Sequence, residues 1–146
     1  MINISHSIEI KCSPKKVFDF FKNLDKNYRK WHPKDHVVFK LIKGKPLKVG
    51  SIAYAEEYMH GKLHKLKLEF TKITPEEIEY KALPKILRLF APVNRFLIKK
   101  KGNKCVFTAE NYVRAGPLFG KLFKKEFDDV RRHVREEGEN LKRLME

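Results

Sequence analysis

The chain has 146 residues, 42% hydrophobic and 35% charged, with a formal net charge of +15. This length supports one hydrophobic core rather than two, so we expect a single domain over residues 1–146. No run of about 18 apolar residues free of charge occurs, which argues against a transmembrane helix. The first residues lack the basic start and apolar run of a secretion signal, and we therefore expect a cytoplasmic protein.

The positive charge suits nucleic acid or an acidic membrane surface. However, the 33 Lys and Arg residues are spread over most of the chain. Their tightest run, Lys99–Lys101, precedes Gly102-Asn103, a pair typical of a hairpin turn. We therefore expect a lysine-rich solvated surface and no nucleic-acid partner.

The first quarter of the chain predicts one strand and two short helices. Alternating isoleucines indicate a strand over residues 2–11. Ser13 is a typical helix N-cap and Pro14 a typical first-turn residue, so a short helix follows them. Residues 25–35 indicate a second short helix that runs into an irregular loop at 28–36.

The rest of the chain predicts six strands and a long helix. The strands lie at about 37–43, 51–59, 63–74, 77–82, 93–100 and 104–114, and one helix runs from Gly116-Pro117 to the C-terminus. Short turns between consecutive strands imply an antiparallel sheet. A long amphipathic helix needs an apolar surface, which a curved sheet supplies. We therefore predict an α+β helix-grip fold: a curved antiparallel sheet wrapped around the C-terminal helix, two short helices after the first strand, and a cavity inside.

The segment from Leu83 to Pro92 is apolar and bracketed by prolines. It fits a lid over the cavity or a peripheral membrane contact. Its apolar surface would consist of Ile86, Leu87, Leu89 and Phe90.

The apolar stripe of the last helix has one gap. Its members recur at steps of three, four or seven: Phe119, Phe123, Phe127, Val130, Val134, Leu141 and Met145. Glu137 occupies the gap between Val134 and Leu141, one turn after His133. This i, i+4 pair can offer a nitrogen and an oxygen to one metal ion. A surface pair at the edge of the stripe is the alternative.

The third strand carries a carboxylate on its apolar face. Ala53, Ala55 and Met59 share that face with Glu57, and the small residues leave room for a cavity. An inward carboxylate is unfavourable without a proton or a cation partner. A bulge or a shift of register that turns Glu57 outward is the alternative.

The loop at 31–36 reads Trp-His-Pro-Lys-Asp-His. His36 stands where the second strand begins and can point into the cavity, and Asp35 or a backbone carbonyl can orient an imidazole. A solvated loop is the alternative, and the pattern leaves open whether His32 or His36 is a ligand. The His133–Glu137 pair, Glu57 and the loop histidines come from distant parts of the chain. If they converge on one cavity, two imidazoles and two carboxylates suit zinc or another divalent ion.

The order of elements resembles the START-like superfamily. Within it, the sequence resembles the zinc-dependent 2,4-diacetylphloroglucinol hydrolase family, on the Trp-His-Pro-x-Asp-His loop, a strand glutamate and a His-x-x-x-Glu pair. The resemblance implies a helix-grip fold and cleavage of the bond between an acyl group and a phenolic ring. It implies zinc ligands at His36 (with His32 as the alternative), Glu57, His133 and Glu137. Tyr28 matches a substrate-contacting tyrosine of that family, so the resemblance also implies that Tyr28 binds the substrate.

We therefore expect a metal-dependent hydrolase of a small aromatic or polyketide-like ketone. Zinc would polarise a carbonyl and lower the pKa of a bound water. Tyr28, His32 or His64 can move a proton, and His64 shares a strand face with Leu66. Asn111 can orient the ligand. The alternative is a non-enzymatic carrier or sensor of a hydrophobic small molecule or lipid.

Overall fold

A computed structural model describes residues 1–146. Its strands are β1 (Ile2–Ile10), β2 (His36–Lys43), β3 (Ile52–Met59), β4 (Lys62–Thr74), β5 (Glu77–Leu83), β6 (Val93–Lys101) and β7 (Lys104–Val113). Its α-helices are α1 (Pro14–Lys22), α2 (Leu24–Trp31), α3 (Pro117–Leu122) and α4 (Lys124–Met145), and a 3₁₀ turn spans Lys85–Leu89. None of these helices combines the length and the apolar character that crossing a bilayer would take.

All seven strands form one antiparallel sheet in the order β1-β7-β6-β5-β4-β3-β2. Register shifts interrupt the pairs β2–β3 and β4–β5, and such bulges increase the local twist and bend a sheet. α4 lies along β1, where a Cβ on Gly138 would come within 2.8 Å of the His6 ring. This architecture confirms the predicted helix-grip fold.

The register sets one row of polar side chains across three strands. Glu57 on β3 pairs with His36 on β2 and with His64 on β4. The turn between β3 and β4 has positive φ at His60 (56°) and Gly61 (71°), as a two-residue type I′ turn requires. Directly opposed residues share a face of the sheet, so the fold itself brings His36 and Glu57 together.

An aromatic cluster holds α1 and α2 against the sheet. Phe21 stacks on Phe96 at 4.9 Å between ring centroids and meets Trp31 edge-on at 5.1 Å. Phe107 joins the same cluster, and all four side chains are buried. Because α2 ends at Trp31, this packing also fixes the start of the loop that carries the predicted site.

The predicted single C-terminal helix is wrong in one respect. The chain leaves helical geometry at Phe123 (φ −108°, ψ 29°), so α3 and α4 are separate. Phe119 and Phe123 are 47% and 41% exposed, although the sequence placed them in the buried stripe. Their rings pack on each other at 4.5 Å, and the four-residue spacing continues across the break.

Candidate metal centre

Four predicted ligand side chains converge at one end of the cavity. His36 begins β2, Glu57 lies near the end of β3, and His133 and Glu137 lie one turn apart on α4. Oε2 of Glu137 is 2.8 Å from Nε2 of His36 and 3.3 Å from Nε2 of His133. Oε2 of Glu57 is 3.8 Å and 3.6 Å from the same two nitrogens.

These separations suit a tetrahedral metal ion. Zinc–nitrogen and zinc–oxygen bonds of about 2.0–2.2 Å place neighbouring ligand atoms about 3.3 Å apart in a tetrahedron. The four measured separations lie within about 0.5 Å of that value. His36, His133 and Glu137 are buried, so such an ion would be largely shielded from solvent.

Each imidazole is oriented by a partner on its other nitrogen. Nδ1 of His36 donates to the backbone carbonyl of Tyr28 at 2.9 Å. Nδ1 of His133 donates to Oδ2 of Asp35 at 2.8 Å. A carbonyl oxygen and a carboxylate only accept, so Nδ1 of each ring carries a proton and Nε2 is the atom that faces the cluster. Both kinds of orienting partner considered from the sequence are therefore present.

Electrostatics in the cluster are strongly coupled. Burial would lower the pKa of His133, but the carboxylates of Glu137 and Glu57 raise it to about 10. Burial would raise the pKa of Glu137, but His133 and His36 lower it to about 2. Burial raises the pKa of Glu57, an effect that His133 opposes and Glu137 reinforces. A divalent cation would relieve the repulsion between the two carboxylates.

Tyr28 and Trp31 of α2 connect the loop to the cluster. The Tyr28 hydroxyl donates to Oε2 of Glu57 at 3.2 Å, and its ring stacks on His36 at 3.9 Å. Burial and the charge of Glu57 raise the pKa of Tyr28, so the hydroxyl keeps its proton. The Trp31 indole N–H donates to the backbone carbonyl of Glu137 at 2.9 Å. The sequence patterns did not predict this hydrogen bond.

His32 lies beside the cluster. Its Nδ1 accepts from the backbone N–H of Asp35 at 3.1 Å, so its Nε2 donates to Glu136 at 3.0 Å. Its ring stacks on His133, with 4.9 Å between centroids. Of the two loop histidines, His36 lies in the four-residue cluster, whereas His32 forms a second buried group able to hold a metal ion, together with Asp35 and His133.

A cavity of about 160 Å³ extends from the cluster between the sheet and α4. Thirteen of its seventeen lining residues are hydrophobic, among them Phe39, Leu68, Phe70, Phe96 and Val130. Asn111 and Tyr28, the two predicted substrate-binding residues, also line it. Tyr80 is a lining residue that the sequence reasoning missed, although its alternation with buried Ile78 on β5 was a usable signal.

His64 does not line this cavity. It lies opposite Glu57 in the register, but its Nε2 contacts the backbone carbonyl of Met59 at 3.1 Å. The ring therefore closes the β3–β4 hairpin end instead of reaching the ligand cluster.

The cluster and the cavity lie inside a helix-grip fold. Residues 1–146 match the model of the family described as polyketide cyclase / dehydrase and lipid transport, and the chain belongs to this family. A comparison with curated proteins finds no match.

Several solved structures are similar over almost the whole chain. TTHA0849 from Thermus thermophilus has a TM-score of 0.76 at 11% identity, over 99% of this chain and 97% of that one. Norcoclaurine synthase from Thalictrum flavum, in complex with dopamine and hydroxybenzaldehyde, has a TM-score of 0.68 at 18% identity, over 98% and 85%. The di-domain ARO/CYC protein BexL has a TM-score of 0.71 at 14% identity, over 99% and 50%. Identities this low show a shared fold alone.

Proposed function

We propose that the protein is a zinc-dependent hydrolase of a small aromatic or polyketide-like ketone. One observation carries the proposal: Nε2 of His36 and Nε2 of His133 each lie 2.8–3.8 Å from carboxylate oxygens of Glu57 and Glu137. His36, His133 and Glu137 form a buried group able to hold a metal ion, and Glu57, His133 and Glu137 line the apolar cavity. Two buried imidazoles with oriented Nε2 atoms and two carboxylates form a donor set that zinc prefers. The same set would also suit another divalent ion.

The chain's residues divide the work between holding the ion and handling the substrate. A bound zinc ion supplies Lewis-acid polarisation of a carbonyl and lowers the pKa of a water molecule. Asp35 and the Tyr28 carbonyl hold the two imidazoles in place, and Asn111 lines the cavity from β7. The apolar walls exclude bulk water around the reacting ketone.

Tyr28 is the best-placed proton donor. Cleavage of an acylphenol breaks the bond between the acyl carbon and the ring carbon. The acyl carbon gains the hydroxyl of water to become a carboxylic acid, and the ring carbon keeps the electron pair and takes a proton. Tyr28 lines the cavity, and its hydroxyl, which lies 3.2 Å from Glu57, is protonated before the reaction. It would deliver its proton to the strongly basic ring carbon and recover one from the water.

The cavity size favours a single-ring substrate. An engineered cavity of about 150 Å³ accommodates benzene, and this one measures about 160 Å³. Its apolar lining suits a ring, and the polar groups at one end suit the ketone oxygen.

The direct test is hydrolysis of monoacylphenols by protein purified without a histidine tag. We expect turnover by zinc-loaded protein, its loss after chelation and its return when zinc is added back. Glu57→Gln should abolish turnover. Glu56→Gln is the matched control, because Glu56 accepts a hydrogen bond from the Tyr54 hydroxyl and does not line the cavity. Turnover that survives chelation, or that Glu57→Gln leaves unchanged, contradicts the proposal.

A carrier or sensor of a hydrophobic molecule is the second candidate. Thirteen hydrophobic residues among the seventeen that line the cavity favour it. Native mass spectrometry distinguishes the two: a co-purified lipid or aromatic ligand without any metal supports the carrier, whereas a bound divalent ion supports the hydrolase.

A further inference from the structure

Exposed apolar side chains are concentrated in two short segments. Fifteen large hydrophobic residues are exposed in the whole chain, and eight of them lie in residues 83–92 and 117–123. These eight, which we call the apolar face, are Ile86, Leu87, Leu89, Phe90, Leu118, Phe119, Leu122 and Phe123. Leu118 and Leu122 are 72% and 71% exposed, so α3 turns its apolar side to solvent. A concentration of this kind marks a contact surface.

The topology places both segments at the same end of the sheet. Residues 83–92 begin at the last residue of β5 and lead to β6, and α3 follows β7. Val93 at the start of β6 pairs with Tyr112 near the end of β7. Arg114 joins the segments directly: its backbone N–H donates to the Phe90 carbonyl at 2.7 Å, and its Nε donates to the Leu89 carbonyl at 2.9 Å.

Positive charge surrounds the apolar face. Residues 83–92 contain two Lys or Arg residues, residues 114–125 contain four, and neither range contains Asp or Glu. Two of the six are paired, Arg88 with Glu69 and Lys124 with Asp128. The other four form no ion pair: Lys85, Arg114, Lys121 and Lys125. Their charge is therefore free for an external partner.

We propose that the apolar face docks on an anionic phospholipid bilayer. Leucine and phenylalanine side chains would enter the headgroup–acyl boundary while the lysines contact lipid phosphates. A second copy of the chain is a poor occupant, because it would bring a further set of unpaired cations to the same face. The net charge of +15 adds long-range attraction to an anionic membrane.

The apolar face borders a second cavity that adjoins the ligand cavity. This second cavity of about 270 Å³ is lined by Leu83, Leu87 and Ala91 of the first segment, and it shares Glu57 and Asn111 with the ligand cavity. Docking would therefore place the bilayer next to a route by which a hydrophobic molecule can enter. The docking itself is independent of whether the protein binds zinc or catalyses a reaction.

Vesicle co-sedimentation tests the proposal. We expect the protein to bind vesicles of phosphatidylcholine with 30% phosphatidylglycerol, to bind pure phosphatidylcholine at least tenfold more weakly, and to lose affinity as salt rises. The double variant Phe90→Ser/Leu122→Ser should bind the anionic vesicles at least tenfold more weakly. The matched control is Ile42→Ser/Val49→Ser, which removes two exposed apolar side chains around the β2–β3 connection, at the opposite end of the sheet.

A gain-of-signal measurement guards against misfolded variants. Trp31 is buried and is the chain's one tryptophan, so Phe90→Trp adds an exposed reporter whose emission should shift to the blue on anionic vesicles. Wild-type protein that does not bind anionic vesicles overturns the proposal. So does equal binding by the two double variants, or a concentration-dependent dimer that Phe90→Ser/Leu122→Ser abolishes.

Discussion

Two buried clusters meet at Trp31 and are built on opposite principles. On one side, Phe21, Phe96 and Phe107 pack edge-on and stacked, with no polar group to satisfy. On the other side, the histidine–carboxylate cluster has every buried side-chain polar atom hydrogen-bonded. The Trp31 ring contacts Phe21, and its N–H donates to the Glu137 carbonyl.

The comparison indicates that the aromatic cluster stabilises the fold, whereas the histidine–carboxylate cluster serves the function. Aromatic burial lowers the free energy of the folded state directly. Burying two carboxylates among two imidazoles is at best neutral compared with apolar residues of similar volume. The histidine–carboxylate cluster contributes little to stability, yet Tyr28 and Asp35 orient its two imidazoles, and a bound ligand best explains this arrangement. Substitutions in the two clusters should therefore have different effects on stability and on activity.

The largest stability effect should come from the aromatic side. Phe21→Ala removes a buried ring, and the free energy of unfolding should fall by about 3–5 kcal/mol. The control is Phe90→Ala, where the exposed ring should change stability by no more than about 0.5 kcal/mol. Urea denaturation followed by circular dichroism measures both. Equal losses would mean that Phe90 is packed and that the comparison of burial is wrong.

Tyr28→Phe should next reduce the proposed hydrolysis by about 100-fold while metal stays bound, because general acid catalysis typically contributes about that factor or more. Tyr54→Phe, which removes a hydroxyl bonded to Glu56, should leave the rate unchanged. Steady-state kinetics and metal content are the measurements. A Tyr28→Phe protein that loses its metal instead would make Tyr28 a positioning residue.

Asp35→Asn should weaken metal affinity by roughly 10- to 100-fold, since it removes the carboxylate that orients His133. Asp129→Asn is its control on α4: Asp129 pairs with Arg132 and His60 and does not touch His133. Competition with a chromogenic chelator measures both affinities. Equal affinities in the two variants would show that the Asp35 contact has no role in metal binding.

The smallest effect should follow His64→Ala. Because His64 Nε2 contacts the Met59 carbonyl and the ring does not line the cavity, we expect less than about a twofold change in rate. A loss of 100-fold would instead assign His64 a role in proton transfer and would place the substrate nearer the β3–β4 turn.

Most of the fold could be predicted because it depends on local patterns. Period-2 alternation and turn residues gave strand boundaries within a residue or two of those observed. The break at Phe123 could not be predicted, because the apolar spacing from Phe119 to Phe127 continues through it unchanged. What distinguishes the two helices is the surface that each one contacts, and that is a tertiary property.

Only those site residues could be predicted that interrupt the apolar pattern of a strand or a helix. Glu57 and Glu137 were identifiable as carboxylates where apolar residues belong. The separate positions of His32 and His36 were not, since both stand in one loop and their orientation depends on the Asp35 N–H and the Tyr28 carbonyl. The hydrogen bond from the Tyr28 hydroxyl to Glu57 could not be predicted either, because it depends on how α2 packs over β3.

The metal content of protein purified without a histidine tag tests the central claim most directly. Elemental analysis should find about one zinc or other divalent ion per chain in the wild type and in Glu56→Gln, and none in Glu57→Ala, with all three proteins folded by circular dichroism. No metal in the wild type after zinc is added back, or stoichiometric zinc in Glu57→Ala, would contradict the ligand set and leave the carrier as the better account.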